Sequence, residues 1–128
     1  MFFLERFMKD IKSLFEGKIK GILVFGKDIE KKYLSDFIGA RVGHADVFAR
    51  VKDEDDVQII LKIAYANRLN VVVRGAGTNL AGSTIPDGGV VLDVSDMNQI
   101  LELDDETLTV TVQPGVILRE IGRAHVWT

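Results

Sequence analysis

The stretch that decides the fold is Val71-Val72-Val73-Arg74-Gly75-Ala76-Gly77-Thr78-Asn79-Leu80-Ala81-Gly82, in which an apolar run leads into a glycine-rich loop. The three valines are typical of a β-strand. Glycine permits positive φ and lets the backbone approach a ligand with no Cβ in between, and successive N–H groups in such a loop can converge on one anion. The sequence therefore predicts a phosphate or diphosphate site after a strand, with Arg74 adding a positive charge.

The residues before this loop predict a strand, a helix and a second strand. Residues 47–51 have the pattern of a strand, and Asp53 is a suitable N-cap for a helix that runs to about residue 68. The apolar residues on the buried face of this helix are Val57, Ile60, Leu61 and Ala64. Asn70 is a reasonable stop signal before the second strand, 70–74. Short links between the three elements predict parallel strands and a right-handed crossover, so that the glycine loop leaves the carboxyl end of a strand, where ligands bind in open α/β sheets.

The residues after the loop predict the start of a second, antiparallel lobe. A third strand at 90–93 is followed by a short capped turn at 95–98. Strands at 99–103 and 107–113 then form a hairpin, and Pro114-Gly115 ends it before a helix. The apolar residues that alternate with threonine in the second hairpin strand are Leu108, Val110 and Val112. The predicted fold class is α/β (α+β): a small parallel βαβ lobe plus the start of a mainly antiparallel lobe.

The N-terminal segment, residues 1–35, is predicted to be helical. Residues 2–16 carry apolar side chains at helical spacing on one face, and a short helix is expected at 28–34. Two interpretations of the first helix remain open, docking against a core and binding to a membrane surface. Docking is favoured because the polar face mixes both charge signs, whereas membrane-surface helices are usually basic.

Composition excludes several classes of function. The chain has 128 residues, a formal net charge of -3 and no cysteine. No basic stripe is available to neutralise nucleic-acid phosphates, and thiol catalysis, disulfides and thiolate zinc sites are excluded. We expect a cytoplasmic protein without a metal site, and leave open a peripheral position at the inner face of the membrane. His44 is expected to be a surface or capping residue. The acidic run 53–56 is expected at a helix start, where carboxylates suit the positive end of the helix dipole, and the run 104–106 at a hairpin tip.

Four motifs in order along the chain carry a resemblance to a known family. They are Arg74-Gly75-Ala76-Gly77-Thr78, Gly88-Gly89-Val90-Val91-Leu92-Asp93, Ser95-x-Met97-Asn98-x-Ile100 and Val112-x-Pro114-Gly115-Val116. Together with Tyr33-x-x-Asp36 they resemble the N-terminal part of the FAD-linked oxidases, the group of the glycolate oxidase flavin subunit and the FAD-linked D-lactate dehydrogenases. The resemblance covers about residues 33–119 and implies a PCMH-type FAD-binding domain, of which 36–120 would be a part.

This resemblance implies a cofactor site. The loop 75–82 would wrap the FAD diphosphate through backbone N–H groups, Gly115 would lie close to the flavin or ribityl chain, and Pro114 would hold that turn rigid. The residues implied to bind the cofactor are Arg74, Gly75, Ala76, Gly77, Thr78, Asn79, Leu80, Gly82, Pro114 and Gly115. Ser95 and Asn98 are expected to brace their turn rather than touch FAD. Relatives that bind flavin covalently have a histidine where this chain has Thr78, so FAD is expected to be non-covalent.

The resemblance also implies an activity for the parent protein. It would oxidise a 2-hydroxy acid such as glycolate or D-lactate by hydride transfer to flavin, and would pass electrons to an acceptor, which could be a separate subunit. No catalytic residue is assigned to this stretch, which by itself is expected to be inactive and to bind FAD poorly. The alternatives are another flavoenzyme of the same fold, such as a sugar-lactone oxidase or an enolpyruvyl-sugar reductase, and a stand-alone nucleotide-binding module.

Residues 121–128 are expected to be non-native. The DNA GAG ATC GGA AGA GCA CAC GTC TGA ACT encodes Glu120 to Thr128 if TGA is read as tryptophan, and this DNA matches a common sequencing-library adapter. On this hypothesis His125 and Trp127, the only tryptophan of the chain, carry no functional information.

Overall fold

A computed structural model describes the backbone of residues 2–127 and the side chains of residues 2–123. Three helices and six strands make up its regular structure, with two short 3-10 helices after the first strand. In chain order they are α1 (Phe2–Phe15), β1 (Ile22–Phe25), 3-10 helices at Gly26–Asp28 and Lys31–Leu34, β2 (Val47–Arg50), α2 (Glu54–Ala66), β3 (Val71–Arg74), β4 (Val90–Asp93), β5 (Ile100–Asp104), β6 (Thr109–Val112) and α3 (Leu118–Trp127).

The main sheet has the strand order β1-β2-β4-β3. Both β2 and β3 pair in parallel with β4, which lies between them, so the predicted strand–helix–strand unit is parallel as expected. The central strands β2 and β4 are buried along almost their whole length. Such near-continuous apolar runs are characteristic of strands that are covered on both faces.

Strand β1 is absent from the sequence-based prediction, which treats residues 1–35 as helical. It pairs antiparallel with β2 and forms one edge of the sheet. A four-residue strand has too little sequence for a periodicity to emerge. The apolar run Ile22–Phe25 between Gly21 and Gly26 is the signal that could have revealed it. The expected helix at 28–34 is present only as short 3-10 turns.

The two faces of the sheet are covered differently. On one face, α1 and α2 contribute Phe15 and Ile60 to a core with the inward side chains of β2 and β4. On the other face, Phe48 and Val91 pack against the segment that follows β1, including Ile29. The segment that forms this second layer also reaches the carboxyl ends of the strands, where Tyr33 and Ser35 accept hydrogen bonds from Arg50 and Arg74.

Helix α1 docks on the core through its C-terminal half alone. Ile11 and Phe15 are buried, whereas Phe2 and Phe3 are 90% and 80% exposed. The prediction of a docked helix is therefore confirmed for the second half of α1 and wrong for the first. Among the described residues, no helix is long and apolar enough to cross a membrane.

Helix α2 begins and ends close to its predicted limits. Its N-cap is Asp53, whose carboxylate accepts a hydrogen bond from the Asp56 amide at 3.1 Å. The salt bridge to Lys20 and the Asp56 amide lower the pKa of Asp53. The predicted stop at Asn70 is wrong. The helix ends at Ala66 with Asn67 as its C-cap, because Arg68 adopts a positive φ of 53° and turns the chain into β3.

The hairpin β5–β6 forms a separate two-stranded antiparallel sheet, as predicted for the start of a second lobe. Its turn is longer than the predicted three residues. Leu108 has a positive φ of 54° and an exposed side chain, so it belongs to the turn and not to the buried face. Asp104 shapes this turn by accepting hydrogen bonds from the amides of Glu106 and Thr107. The backbone of α3 follows the hairpin, but the side chains of His125 and Trp127, and all of Thr128, lie outside the described residues.

Candidate functional site

Three charged side chains lie in register where the parallel strands end. Arg50 on β2 pairs in register with Asp93 on β4, which pairs in register with Arg74 on β3. Neighbours in register point to the same face of a sheet. Arg50 donates to the Tyr33 hydroxyl at 2.8 Å and lies 3.4 Å from the Asp93 carboxylate. Burial lowers the pKa of Arg50. The hydrogen bond to Tyr33 and the charge of Asp93 raise this pKa by more than burial lowers it, so the net shift is upward and the guanidinium stays charged.

The glycine loop 75–82 leaves β3 at this same edge of the sheet. Within the described part of the chain, no amide N–H group from Gly75 to Gly82 donates a hydrogen bond to a protein acceptor. Carbonyl oxygens of the loop are used, because Asn79 accepts from the Phe37 amide at 3.1 Å and Gly82 accepts from the Ile85 amide at 3.1 Å. Backbone donors are normally paired unless water or a ligand satisfies them. The loop therefore presents a row of unpaired donors.

Gly75 and Gly77 are glycines for different reasons. Gly77 has a φ of 69°, and a Cβ at this position would overlap the guanidinium of Arg74. Gly75 does not have a positive φ, and the nearest atom to a Cβ built there is the carbonyl oxygen of Pro114, at 3.9 Å. The fold therefore requires glycine at 77 and would accept alanine at 75. The space beside Gly75 is where a ligand could approach the backbone closely.

The side chains of the loop divide into two groups. Ala76, Thr78 and Leu80 are exposed, so they are open to a ligand. Asn79 braces the loop from within, because its amide donates to the Thr84 hydroxyl at 2.7 Å and its carbonyl oxygen accepts from the Ser83 amide at 3.1 Å. The Asn79 side chain is thus occupied within the loop, which leaves only its backbone N–H available to an anion.

The Arg74 side chain is enclosed by Ser35, Tyr33 and the backbone of Gly77. It is buried, and one guanidinium nitrogen donates to the carbonyl oxygen of Ser35 at 2.8 Å. The guanidinium carbon lies 5.6 Å from the centre of the Tyr33 ring. Arg74 is among the residues predicted to bind the cofactor. In the structure its guanidinium is buried against the backbone of Gly77 and bonded to Ser35, and a direct contact with the cofactor stays a prediction.

A cavity of about 390 Å³ lies between the glycine loop and the turn at Gly115, the two segments that are predicted to bind the cofactor. It brings Ala76 of the glycine loop together with Gly115 of the turn after β6. The other lining residues are Ser95, Asn98, Ile117 and Glu120. Ser95 and Asn98 were expected only to brace their turn. The Ser95 amide does so by donating to Asp93 at 2.8 Å, but both residues also line the cavity. Leu80 and Gly82 lie farther along the loop, and Gly82 lines a second cavity, of about 240 Å³, with Arg41 and His44.

Gly115 is packed closely against neighbouring backbone atoms. Its amide donates to the Met97 carbonyl at 2.8 Å. A Cβ at this position would overlap the carbonyl oxygen of Val94 and lie 2.9 Å from that of Met97. Gly115 therefore fixes the hairpin end against the turn at 95–98, which assembles one wall of the cavity. Pro114 is exposed and lines a different, apolar cavity next to Val73.

Replacement of Gly115 by alanine is expected to reduce stability. The overlapping atoms are backbone carbonyl oxygens, which cannot rotate away as a side chain would, so we expect a loss of at least about 2 kcal/mol. Urea unfolding followed by far-UV circular dichroism measures the change. Replacement by alanine of Gly122, beside which no atom lies within 4 Å, is the matched control and is expected to cause no loss of stability. A Gly115→Ala variant as stable as the wild type would contradict the packing described here.

The matching family model and the curated relatives of this chain point to the same family. The family model described as FAD binding domain matches residues 45–126. Glycolate oxidase subunit GlcD of Bacillus subtilis (strain 168) is 41% identical over 111 residues, which are 86% of this chain and 22% of the relative. D-lactate dehydrogenase of Anaerostipes hadrus is 31% identical over 107 residues, which are 81% of this chain and 22% of the relative. The chain thus spans about a fifth of the length of these curated relatives.

A solved structure agrees with the sequence relatives. The crystal structure of 6-hydroxy-D-nicotine oxidase from Arthrobacter nicotinovorans superposes with a TM-score of 0.71 at 27% identity. The superposition covers 85% of this chain and 24% of that protein. The mixed sheet and the antiparallel hairpin described above are therefore a known architecture.

Proposed function

Because this chain belongs to the FAD-binding domain family, whose cofactor is FAD, we propose that the amides of residues 75–82 bind the diphosphate of that cofactor. The observation that carries the proposal is the row of loop N–H groups without protein acceptors among the described residues. Preorganised backbone donors bind an anion without first losing a counter-charge of their own. The open space beside Gly75 gives the phosphate oxygens access to these donors.

The cavity between the loop and the turn at Gly115 would hold the next part of the cofactor. Ser95 and Asn98 supply a hydroxyl and an amide to its wall, and Ile117 supplies apolar surface. When bound, FAD accepts a hydride, which is chemistry that belongs to the cofactor. The part of this chain in that chemistry is to hold the dinucleotide in place and to keep its diphosphate fixed.

FAD is proposed to be held without a covalent bond. Thr78, the position at which the covalent relatives carry histidine, has no nucleophile suited to that link, and the chain contains no cysteine. Acid denaturation of the reconstituted protein is expected to release all of the flavin into the supernatant. Flavin absorbance that remains with the precipitated polypeptide would contradict this.

The activity proposed for the whole protein is oxidation of a 2-hydroxy acid such as glycolate or D-lactate, with hydride transfer to flavin. The support is the named activity of the relatives that match most of this chain. Another flavoenzyme of the same fold remains an alternative, because 6-hydroxy-D-nicotine oxidase shares the architecture. No catalytic residue is assigned within this chain, and an electron-acceptor subunit is proposed because the glycolate oxidase relative is itself a subunit.

The domain limits are also proposals. Residues 36–120 would be part of the FAD-binding domain, with β1 contributing an edge strand from the preceding segment. Residues 121–128 are proposed to be non-native. Genomic DNA that encodes this peptide with other codons would overturn that proposal.

Titration with ADP, which carries the same diphosphate as FAD, tests the cofactor site. The 14.2 kDa chain is small enough for amide NMR. ADP at millimolar concentration is expected to shift the amide signals of Gly75, Gly77 and Gly82, while adenosine, which lacks phosphate, leaves them in place. The amides of Lys62 and Ile63 on α2 serve as internal controls. If ADP and adenosine act alike on the loop, the diphosphate proposal is wrong.

A further inference from the structure

The buried guanidinium of Arg74 is not explained by the proposed site alone. Its side chain is only 9% exposed, and long charged side chains are rarely buried unless they are paired. Among the residues whose side chains are described, no carboxylate lies within ion-pair distance of Arg74. Its neighbour in register, Asp93, is 3.4 Å from Arg50 instead. Within the described part of the chain, the fold therefore buries a positive charge beside Gly77 without an ion-pair partner of its own.

The surroundings of Arg74 fix its guanidinium against the loop. The Ser35 carbonyl oxygen accepts one of its hydrogen bonds at 2.8 Å and also accepts from the Thr84 hydroxyl at 3.2 Å. Tyr33 lies beside the guanidinium, and the ring of Tyr33 packs in turn on Phe48 with 4.3 Å between ring centres. The guanidinium is thus held by Ser35 and Tyr33, and the backbone of Gly77 lies against it.

Two physical consequences follow from this arrangement. First, the guanidinium determines how far the loop can collapse toward the sheet, because Gly77 lies against it without even a Cβ between them. Second, a charge that is kept from water is poorly screened, so it attracts an anion bound at the loop more strongly than an exposed charge would. Both effects act on the position where the diphosphate is proposed to bind.

We infer that Arg74 is a positioning residue, which supports the glycine loop from behind and supplies an unbalanced buried charge for the diphosphate, rather than a residue that contacts the phosphates. This inference rests on the proposed function. On this inference the site has two layers. The backbone amides of the loop contact the anion, and the guanidinium of Arg74 lies beneath these amides without touching the anion.

Three variants of the full chain test this inference. Arg74→Met removes the charge and keeps much of the side-chain length. Arg74→Lys keeps a charge but replaces the planar fork that both bonds Ser35 and fills the space beneath Gly77. Arg6→Met, on the exposed face of α1, removes the same unit of charge from a distant surface and is the matched control.

The measurement is ADP affinity, from the NMR shifts of the Gly75 and Gly82 amides, with pyrophosphate as a second probe. We expect Arg74→Met to weaken binding of both probes about tenfold or more, Arg74→Lys to restore part of the loss, and Arg6→Met to bind like the wild type. The Gly77 amide signal is also expected to move in Arg74→Met before any ligand is added.

The outcomes separate the two proposals. If neither probe shifts the loop of the wild type, the cofactor site itself is wrong and the inference on Arg74 falls with it. If the wild type binds and Arg74→Met binds equally well, only the inference is wrong. Should Arg74→Met fail to fold, Arg74→Lys decides: at least a threefold loss of affinity supports the inference, and wild-type affinity overturns it.

Discussion

The Asp56→Ala variant is expected to lose about 3–5 kcal/mol of unfolding free energy, which is a large fraction of the stability of a small domain. Asp56 is completely buried, and its carboxylate accepts hydrogen bonds from the amides of Lys20, Gly21 and Lys52 at 2.9–3.0 Å. These donors come from the two chain segments that precede β1 and α2. Hydrogen bonds to a charged group are worth about 1.5–3 kcal/mol each, and their loss leaves amides unsatisfied.

A graded series makes this prediction specific. Asp56→Asn keeps one acceptor oxygen and is expected to lose less than Asp56→Ala. Asp55→Ala, whose side chain is 78% exposed next to Lys20, is the matched control and is expected to change stability by less than about 1 kcal/mol. Urea unfolding monitored by circular dichroism gives all three values. A loss below about 1 kcal/mol for Asp56→Ala would show that this carboxylate does not hold the two segments together.

Gly75→Ala is expected to weaken ADP binding by at least about thirtyfold without reducing stability. The fold accepts a methyl group here, because only the Pro114 carbonyl oxygen comes near it, at 3.9 Å. The methyl group would occupy the space through which phosphate oxygens reach the loop amides. Loss of about 2 kcal/mol, the scale of one hydrogen bond to a charged group, corresponds to this factor.

The contrast with two other glycines isolates the effect. Gly115→Ala is expected to destabilise the fold, whereas Gly122→Ala is expected to reduce neither stability nor affinity. Amide NMR gives ADP affinity, and thermal unfolding of the same samples gives stability. If Gly75→Ala bound ADP as tightly as the wild type at unchanged stability, the diphosphate would not lie against this part of the loop.

The candidate site was predictable from sequence to the extent that its signals are local. The spacing of Gly75, Gly77 and Gly82 after three valines is visible in twelve residues, and so is the Asp53 cap of α2. Other features depend on contacts between distant residues. Asp56 was predicted as one carboxylate of an acidic run at a helix start, whereas its partners at 20 and 21 lie 36 and 35 positions away in the chain.

The direction in which Arg74 points was likewise beyond the sequence. A positive residue next to a glycine-rich loop suggests a direct phosphate contact. The structure turns the side chain back because Ser35, 39 positions earlier, offers a carbonyl oxygen beneath the loop. The position of Ser95 and Asn98 beside a cavity was beyond the sequence for the same reason, since that cavity is lined jointly with Ala76 and Gly115 from other parts of the chain.

The sequence by itself determined the types of element and the chemistry of the loop, because apolar periodicity, capping residues and glycine act over a few neighbouring positions. Tertiary structure alone decided the insertion of β4 between β2 and β3, the addition of β1 at the edge, and the placement of one guanidinium behind the loop. Strand order and side-chain direction depend on which distant surfaces exclude water together, and that free energy is not encoded in any short stretch of chain.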